Sequence, residues 1–404
     1  MIETKFKHTE IGLIPHDWEV KNIKDCFDFK QGVQCAVNLQ SLQQFDGCVR
    51  FIRIVDLTQP DELPRYIADP RLVHHVKKED LFMVRYGSPG LVGYGYEGVI
   101  ANNLFRLLPN IEICSKFYKY ILTDLHDEIL ALSSSTTMPA VNFTALSTLQ
   151  IPLPPTTAEQ ERIADALSKI DSLIVDLDEL LEKKRAIKTG TMQQLLTGKK
   201  RLKGFTGEWV EKTIEEISEL RKGGGLSKEK LDSNGKHKCI LYGEIFTTYN
   251  YQVETCKSRT NYEEGLPSKI GDVLMPGSTT TKGIDLAKAV CVNEDDILLG
   301  GDIIVIRNSK QAFDPLFLAT YLSEINKQAI AEIAQGITII HIHAKQIAEV
   351  KLLIPPTVEE QRAIANILSA MDTEIASLEQ KRDKYIAIKQ GMMQQLLTGK
   401  IRLV

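Results

Sequence analysis

Side chains suited to binding nucleic acids recur in a few short segments of this 404-residue chain. Arg, Lys, Asn, Gln, Ser and Thr supply the donors and acceptors that contact base edges and phosphates. Glycines and polar residues flank these segments, so we predict that they are loops. The candidate DNA-contacting residues are Gln31, Arg85, Tyr86, Asn102, Asn103, Arg221, Lys222, Ser278, Thr279, Thr280 and Lys282. Each such loop, taken singly, is also typical of an ordinary solvated surface.

Sequence signatures of catalysis are missing. The chain has no GxxxxGK phosphate loop, no GxSxG nucleophile elbow and no HExxH zinc motif. We therefore predict that this chain is not an enzyme and carries neither a catalytic residue nor a cofactor of its own.

Histidines and a glycine run are the remaining candidates for ligand binding. His341 and His343 alternate along an extended IIHIH run and would share one face of a strand. A metal site needs further ligands, and the sequence offers no spaced set, so we predict no metal. The run Gly223–Gly225 could cradle a phosphate, but a lone glycine run favours a flexible loop or a contact with the DNA backbone.

The amino-acid composition is that of an ordinary globular protein. Hydrophobic residues make up 43% of the chain and charged residues 25%, as in ordinary globular proteins. No apolar run is long enough to span a membrane. Seven scattered cysteines without a C-x-x-C pair predict reduced thiols and a cytoplasmic location. The net charge of −4 gives no support to nucleic-acid binding, although local basic patches or partner subunits can supply the field.

An internal duplication in the sequence indicates which helices and modules position the candidate loops. Residues 154–202 and 355–403 align without a gap and are identical at 27 of 49 positions. The shared text includes MQQLLTGK, followed in both copies by x-R-L. Trp18 and Trp209, the only tryptophans, mark the start of each half. Because the period is half the chain, this is a tandem duplication and not a solenoid.

Each repeat predicts one long helix. Thr156 and Glu159 form a Thr-x-x-Glu capping box at its start, and Thr357 and Glu360 repeat it. The glycine of each LTGK run ends the helix. About 40 residues without proline lie between these signals, which corresponds to a helix of roughly 60 Å.

Apolar residues step by four and three along both helices, as in a coiled coil. We predict that the helices pack antiparallel on each other. The variable segment that precedes each helix would then lie at opposite ends of the helix pair. The alternative is that each helix packs only on its own domain. The predicted seam consists of Ile163, Leu167, Ile170, Ile174, Leu177, Ile364, Leu368, Met371, Ile375 and Leu378.

Two variable modules complete the chain. Module one covers residues 1–153 and module two covers 203–354, while 154–202 and 355–404 are the helical segments. Both modules carry short β-rich runs broken by glycine and polar turns, with helical runs at 116–132 and 315–334 in equivalent places. We predict an α+β protein in which two α/β modules are joined by two long antiparallel helices, with a pseudo-two-fold internal duplication.

The order of these parts resembles the specificity (S) subunit of Type I restriction–modification systems. The resemblance rests on a Trp-initiated variable module, a PLPP or LIPP strand, a T-x-x-EQ-x-x-IA helix start and a QQLLTGK-x-RL helix end, all present twice. It covers nearly the whole chain. The helical segments are specific to the family, whereas the modules match only in their frame.

This resemblance implies a function in DNA methylation and antiphage defence. Each module would be a target recognition domain that reads one half of a split, asymmetric site in double-stranded DNA. The helices would set the spacing and dock two modification (M) subunits, which bind S-adenosylmethionine. Restriction (R) subunits would add ATP-driven translocation and cleavage.

Two other functions remain open from the sequence. A stand-alone nuclease or methyltransferase with fused recognition domains would need a catalytic domain for which the length leaves no room. A coiled-coil scaffold without sequence-specific DNA binding would share the helices but not the need for diverged loops.

Overall fold

The computed structural model describes residues 5–59, 61–133, 139–263 and 265–403. The chain divides into two compact units, one of Met1–Asp178 with Gln380–Val404 and the other of Glu179–Glu379. Each unit contains one module together with parts of both long helices, so the predicted helical segments are divided between the units.

Module one precedes the first long helix. Its strands are β1 (Phe6–Thr9), β2 (Gly12–Pro15), β3 (Glu19–Asn22), β4 (Phe27–Gln31), β5 (Cys48–Ile52), β6 (Arg65–Ala68), β7 (His75–Val76), β8 (Leu81–Val84), β9 (Val92–Gly93), β10 (Gly98–Ile100), β11 (Leu104–Pro109) and β12 (Gln150–Leu153). Its helices are α1 (Val55–Thr58), α2 (Ser115–Asp124), α3 (His126–Ala131) and α4 (Phe143–Leu146). The long helix α5 (Thr157–Leu195) follows.

Module two precedes the second long helix. Its strands are β13 (Val210–Thr213), β14 (Glu219–Lys222), β15 (His237–Ile240), β16 (Gln252–Val253), β17 (Ser258–Thr260), β18 (Leu266–Pro267), β19 (Val273–Pro276), β20 (Ser278–Thr279), β21 (Val290–Val292), β22 (Leu298–Leu299), β23 (Ile303–Arg307), β24 (Ile340–His341) and β25 (Lys351–Ile354). Its helices are α6 (Ile214–Ile217), α7 (Tyr242–Thr247), α8 (Pro315–Glu324), α9 (Lys327–Ile333) and α10 (Ala344–Ala348), and the long helix α11 (Val358–Leu396) follows. The predicted helical runs at 116–132 and 315–334 are thus confirmed.

The two modules share one sheet plan. In module one the sheet β4-β11-β8-β9 is built around β11, which is antiparallel to β4 and β8. In module two β23 has the same central place between β14 and β19 in the sheet β14-β23-β19-β21-β16. A second sheet accompanies each one, with the order β6-β5-β10-β7 in module one and β17-β15-β22-β18 in module two. This duplicated α+β architecture confirms the predicted fold class.

Continuous apolar runs explain why the central strands are buried on both faces. Side chains alternate across a strand, so successive residues enter different cores. In module one Leu81 and Met83 belong to one apolar cluster, while Phe82 and Val84 belong to another. In module two β23 is divided in the same way. A sheet with apolar layers on both sides holds the ends of its strands in fixed positions.

The start of each long helix differs from the predicted capping box. The Thr156 hydroxyl accepts a hydrogen bond from the Glu159 backbone N–H at 3.3 Å, as expected. The Glu159 carboxylate does not return to the helix start, however, because it binds the Arg402 guanidinium, with Nη2 to Oε2 at 2.8 Å. A two-pronged guanidinium satisfies a buried carboxylate better than a single amide does.

The second helix start repeats this arrangement. Glu360 is 1% exposed, and its carboxylate binds Arg201 through Nε at 2.6 Å and Nη2 at 2.7 Å. The neighbouring Gln361 accepts a hydrogen bond from the Asp314 N–H at 2.9 Å, which fastens the helix start to module two. The EQ and x-R-L motifs of the duplicated text therefore form one structural contact in each unit. We call these two contacts the Glu–Arg closures.

Ion pairs between the long helices show that they run antiparallel. In one unit Asp171 pairs with Lys389 at 2.6 Å, and Asp178 pairs with Arg382 at 3.5 Å. The partner number falls as the first number rises. In the other unit Lys188 pairs with Asp372 at 2.5 Å, and Arg185 with Glu379 at 2.5 Å. The predicted antiparallel arrangement is part of the confirmed fold class.

The predicted seam residues have two kinds of surroundings. The first seam residues of each helix, Ile163 and Leu167 in one unit and Ile364 and Leu368 in the other, pack into a module core. The end of the other helix lies in the same core, through Leu396 and Leu397 in the first unit and Leu195 and Leu196 in the second. Further along, Leu177 is 5% exposed and outside these cores. Half-buried positions complete the set, namely Ile170, Ile174, Met371, Ile375 and Leu378. Each helix therefore packs partly on a module and partly along the other helix.

Two smaller expectations need correction. Residues 49–57 belong to one of the predicted β-rich runs of module one, but β5 ends at Ile52 and Val55–Thr58 forms helix α1. The IIHIH run reads as a strand that presents both histidines on one face. Instead His341 ends β24, and His343 is the N-cap residue of α10. Within the described ranges, no helix is long and apolar enough to cross a membrane.

Candidate functional site

The candidate residues of module one converge at one end of its central sheet. Gln31 is the last residue of β4 and pairs with Phe105 at the start of β11. Arg85 and Tyr86 follow β8, and Asn102 and Asn103 precede β11. Because β11 lies between β4 and β8 in an antiparallel sheet, these ends meet at the same edge. We call this group the strand-end cluster of module one.

Contacts inside this cluster are direct. The Arg85 guanidinium donates from Nη1 to Gln31 Oε1 at 3.1 Å, and the Gln31 side-chain amide donates to the Asn102 carbonyl oxygen. The Arg85 backbone N–H donates to the Asn103 carbonyl oxygen at 2.8 Å. The Gln31 amide therefore holds the loop at Asn102, and its contact with DNA stays a prediction.

Other polar groups of the cluster form fewer contacts. The Arg85 guanidinium lies 4.6 Å from the Phe143 ring centroid, and its Nε, a buried atom, has no hydrogen-bond partner within the described part of the chain. The half-buried side-chain amides of Asn102 and Asn103 form no hydrogen bond with another described residue. Two amides beside a guanidinium that lies over an aromatic ring can contact base edges.

Module two builds the same edge from different residues. Lys222 ends β14 and pairs with Ile304, as Gln31 pairs with Phe105 in module one. The Gly277 N–H donates to the Asp302 carbonyl oxygen at 2.6 Å, the counterpart of the bond between Arg85 and Asn103.

A further backbone bond completes the correspondence between the modules. The Ile342 N–H donates to the Gly277 carbonyl oxygen at 2.9 Å, as Val141 donates to Arg85 at 2.7 Å. Structurally equivalent pairs across the modules are therefore Gln31 and Lys222, Tyr86 and Ser278, Asn103 and Asp302, and Ala140 and His341.

A cleft of about 940 Å³ opens beside the strand ends of module two. The predicted hydroxyl residues Ser278, Thr279 and Thr280 line it, although Ser278 and Thr279 are each only 6% exposed. Thr280 is exposed and is therefore the hydroxyl of this run that a ligand reaches first. Sequence reasoning missed several charged and aromatic residues in the lining, namely Tyr242, Phe246, Lys288, Asp302, Lys327 and His341.

Lys288 is the most unusual of these missed residues. It is half-buried, and burial lowers the pKa of its ammonium group, while Glu324 opposes that effect. Its Nζ lies 5.1 Å from the Tyr251 ring centroid. A cation in a partly dry position loses less solvation when it meets a phosphate or a base acceptor. The signal for Lys288 in the sequence was weak, because it lies outside any run of polar loop residues.

Two predicted residues of module two are not part of the cleft. Arg221 precedes Lys222 on β14, so its side chain leaves the other face of the strand. Its guanidinium pairs with Glu219 of the same strand at 2.5 Å. Lys282 is exposed but does not line the cleft, and its backbone N–H donates a hydrogen bond to Asp285 Oδ2 at 3.1 Å.

The glycine run of module two is neither a phosphate cradle nor a flexible loop. The Gly223 N–H donates to the Ile303 carbonyl oxygen and the Gly224 N–H to that of Leu299, both at 2.9 Å. A Cβ on Gly223 would come within 1.9 Å of the Gly300 carbonyl oxygen. Gly32 of module one has the same close approach, to Ala101 and Ile100. These glycines are required because two backbones touch, and their N–H groups are already bound.

Other ligand motifs find no support in the geometry. Among the described residues, no three His, Cys, Asp or Glu side chains come together in a way that could hold a metal ion. The segment Gly93–Gly98 has the spacing GxGxxG, but it leads from β9 into β10 and opens no helix. Dinucleotide binding needs a helix N-terminus after the glycines.

Comparisons with known proteins agree with this duplicated architecture. A family model described as the Type I restriction modification DNA specificity domain matches residues 15–188 and again 206–386. The putative type I restriction enzyme MjaX specificity subunit of Methanocaldococcus jannaschii is 26% identical over 99% of this chain and 97% of its own length. The MjaVIII specificity subunit of the same organism is 23% identical, with the same shares covered.

Solved structures share the fold. The S subunit of a Type I restriction-modification system from M. genitalium has a TM-score of 0.60 at 18% identity, covering 97% of this chain and 98% of its own. A chain from a structural study of complex assembly and conformational transition in the type I R-M system has a TM-score of 0.54 at 15% identity, covering 96% and 99%. At these identities the likeness concerns the fold alone.

Proposed function

Because this chain belongs to the Type I restriction–modification DNA specificity family, we propose that each of its modules reads one half of a bipartite, asymmetric site in double-stranded DNA. The chain is a specificity subunit with two target recognition domains. The scaffold alternative, without sequence-specific DNA binding, does not account for two recognition domains in the family model.

One observation carries the proposal of two different readers. The strand-end positions are equivalent in the two modules, yet they present Gln31, Tyr86 and Asn103 in one and Lys222, Ser278 and Asp302 in the other. An identical backbone frame with different donors and acceptors contacts different base edges. The site read by such a chain is therefore asymmetric.

The candidate residues divide between base reading and backbone contact. We assign Arg85, Asn102 and Asn103 to base edges in module one, and Thr280 and Lys222 to base edges in module two. Tyr86 and Lys282 suit phosphate or sugar contacts, which fix register without reading sequence. Gln31 holds the loop at Asn102 and so acts through that loop, whereas Arg221 is paired with Glu219.

Partner subunits supply the chemistry in this proposal. Two modification subunits dock on the long helices and bind S-adenosylmethionine, and restriction subunits that use ATP join the complete complex. This chain is non-catalytic, carries no cofactor and acts in the cytoplasm. Its net charge of −4 fits this division, since partner subunits then provide much of the positive field around the duplex.

Exchange of modules tests the proposal. A specificity subunit in which residues 12–150 are replaced by the equivalent segment of a relative is combined with modification subunits, and methylated sites are mapped across a genome. We expect one half-site to change and the other to persist, with the reverse result when 205–350 are replaced. If either exchange altered both half-sites, the model of two independent readers would be wrong.

A further inference from the structure

Asp302 occupies the central position at the strand ends of module two. It directly precedes β23 and lies where module one has Asn103. Its side chain is 37% exposed and lines the cleft together with Ser278 and His341. Sequence reasoning had no signal for this residue, because a single aspartate after two glycines reads as an ordinary turn.

The backbone at Asp302 is held in an unfavourable conformation. Its φ of +64° lies in the left-handed region, which a residue with a side chain rarely adopts. The Gly277 N–H holds its carbonyl oxygen at 2.6 Å. A Cβ on Gly277 would come within 3.0 Å of that oxygen and 3.3 Å of Asp302 Oδ1, so the backbones approach closely here. Strain held in place by its surroundings is frequent at binding sites.

Neighbouring side chains orient the carboxylate. The Ser278 hydroxyl donates a hydrogen bond to Oδ2. Lys222 Nζ lies 4.0 Å from Oδ1, and that lysine side chain is 69% exposed. Ser278 is paired with His341 across β20 and β24. One carboxylate oxygen is therefore fixed by Ser278, while the other lies beside the exposed ammonium group of Lys222 in a side chain that is partly exposed.

A partly exposed carboxylate is unexpected on a surface that meets DNA, because it repels the phosphates. It is useful there only where the ligand presents a hydrogen-bond donor, and the exocyclic amino groups of cytosine and adenine are the major-groove donors of the bases. We propose that Asp302 is a specificity-determining residue that accepts a hydrogen bond from such an amino group. This inference rests on the proposed function of module two as a reader of one half-site.

Lys222 points to the cytosine amino group as the donor. Lysine pairs most often with the O6 and N7 acceptors of guanine. A carboxylate and an ammonium group 4.0 Å apart therefore match the donor of cytosine and the acceptors of its partner guanine. Adenine shares the amino chemistry, and mapping of the affected position distinguishes the two bases.

Removal of the carboxylate without change of the backbone is the test. Asp302→Gly suits a positive φ, and Asp296→Gly is its matched control, because Asp296 is an exposed aspartate of the same module with a φ of +62°. Each variant is assembled with modification subunits, and methylation is measured on a library of randomised sites. We expect Asp302→Gly to reduce discrimination at one position of one half-site by about 5- to 140-fold, the range for one good base contact.

The variants also separate failure of this inference from failure of the proposed function. Lys222→Gln, at an exposed strand end, is expected to weaken discrimination at the same base pair. Unchanged base preference in Asp302→Gly, or equal loss on every sequence, would mean that Asp302 supports the loop only. If the Asp302 and Asp296 variants behaved alike, the assignment would also fail. A wild-type complex without any preference in the half-site of module two would instead contradict the proposed function.

Discussion

At the scale of single residues, buried ion pairs explain why the EQ and x-R-L runs occur in both repeats. Glu159 and Glu360 are each 1% exposed, and each is bound by an arginine from the x-R-L run of the other repeat. The hydrogen bond with Glu159 raises the pKa of Arg402 further, so this guanidinium remains charged. Removing one partner of a buried pair leaves the other charge without compensation, which is costly.

Loss of Arg201 is therefore expected to destabilise one unit. Arg201→Ala should lower the free energy of unfolding by about 3–5 kcal/mol, because the Glu360 carboxylate stays buried and unpaired. Hydrogen exchange read by mass spectrometry should show lost protection in Glu179–Glu379 and little change elsewhere. The exposed neighbour Lys200 provides the control, and Lys200→Ala should change stability by less than about 0.5 kcal/mol. Equal effects of the two substitutions would contradict a stabilising closure.

Asp171 links the two helices to module one and should make stability depend on pH. Burial tends to raise the pKa of its carboxyl, but hydrogen bonds from Lys389 and Tyr120 outweigh this and leave the pKa lowered. A carboxyl with a lowered pKa stabilises the fold fully above its ordinary pKa of about 3.9 and loses that effect as the pH falls through its folded value.

Asp171→Asn is accordingly expected to destabilise the protein by about 1.5–3 kcal/mol at pH 7, the range for hydrogen bonds to a charged group. The difference from the wild type should shrink as the pH falls below about 4. Urea unfolding at pH 7, 5 and 3.5, followed by circular dichroism, measures this difference. Asp176→Asn, at an exposed position on the same helix, serves as control. A difference that stayed constant with pH would show that the charge of Asp171 is not responsible.

At the scale of elements, the long helices combine two types of packing. Their ends are embedded in module cores, through Leu167 with Leu396 in one unit and Leu368 with Leu195 in the other. Their middle parts are joined by ion pairs such as Asp178 with Arg382. An insertion near the end of a helix would therefore pull apart a module core, whereas an insertion near the middle disturbs only contacts between the helices.

Paired lengthening of the helices tests their role in spacing. Seven residues inserted after Asp178 and seven after Glu379 keep the heptad pattern of both helices. They add about 10 Å of helix, which is about three base-pair steps at roughly 3.4 Å each. We expect methylation mapping to show a longer spacer with both half-sites unchanged. Lengthening of one helix alone should abolish activity, because the seam loses its register. An active paired variant with the original spacer would exclude these helices as the determinant of distance.

At the scale of the whole molecule, one chain presents two recognition domains of one fold with different polar edges. The family model matches both halves, over 15–188 and 206–386. In module one the edge carries the amides of Asn102 and Asn103, whereas module two presents a carboxylate and an ammonium group. Duplication followed by divergence at the strand ends accounts for both the shared frame and the different polar edges.

The proposed division of work with partner subunits gives a test on this chain alone. Purified specificity subunit should neither methylate nor cleave DNA, and S-adenosylmethionine and ATP should leave its thermal unfolding midpoint unchanged. Addition of modification subunits should restore methylation at one defined bipartite site. A preparation of the modification subunits alone controls for their intrinsic activity. Turnover by the isolated chain would refute the assignment of all chemistry to its partners.

Features that depend on a local pattern could be predicted from the sequence alone. Duplicated text reveals two halves, heptad spacing predicts two long helices, and the helical runs at 116–132 and 315–334 predict modules of one fold. These signals lie within a few helical turns or strands, so single-sequence reasoning reaches them. The loops at Arg85 and Tyr86 and at Asn102 and Asn103 in module one could likewise be predicted from their polar residues.

Contacts between residues far apart in the chain become visible only in the folded structure. Glu159 fits a local capping box, yet its partner Arg402 lies 243 positions away. The run Gly223–Gly225 resembles a flexible loop, but contact with the backbone of Gly300 gives it a different role. Asp302 and His341 reach the strand-end edge through sheet pairing, which local sequence does not encode. The physical reason is that ion pairs and strand register are set by the packing of complete layers, and that packing depends on residues far apart in the chain.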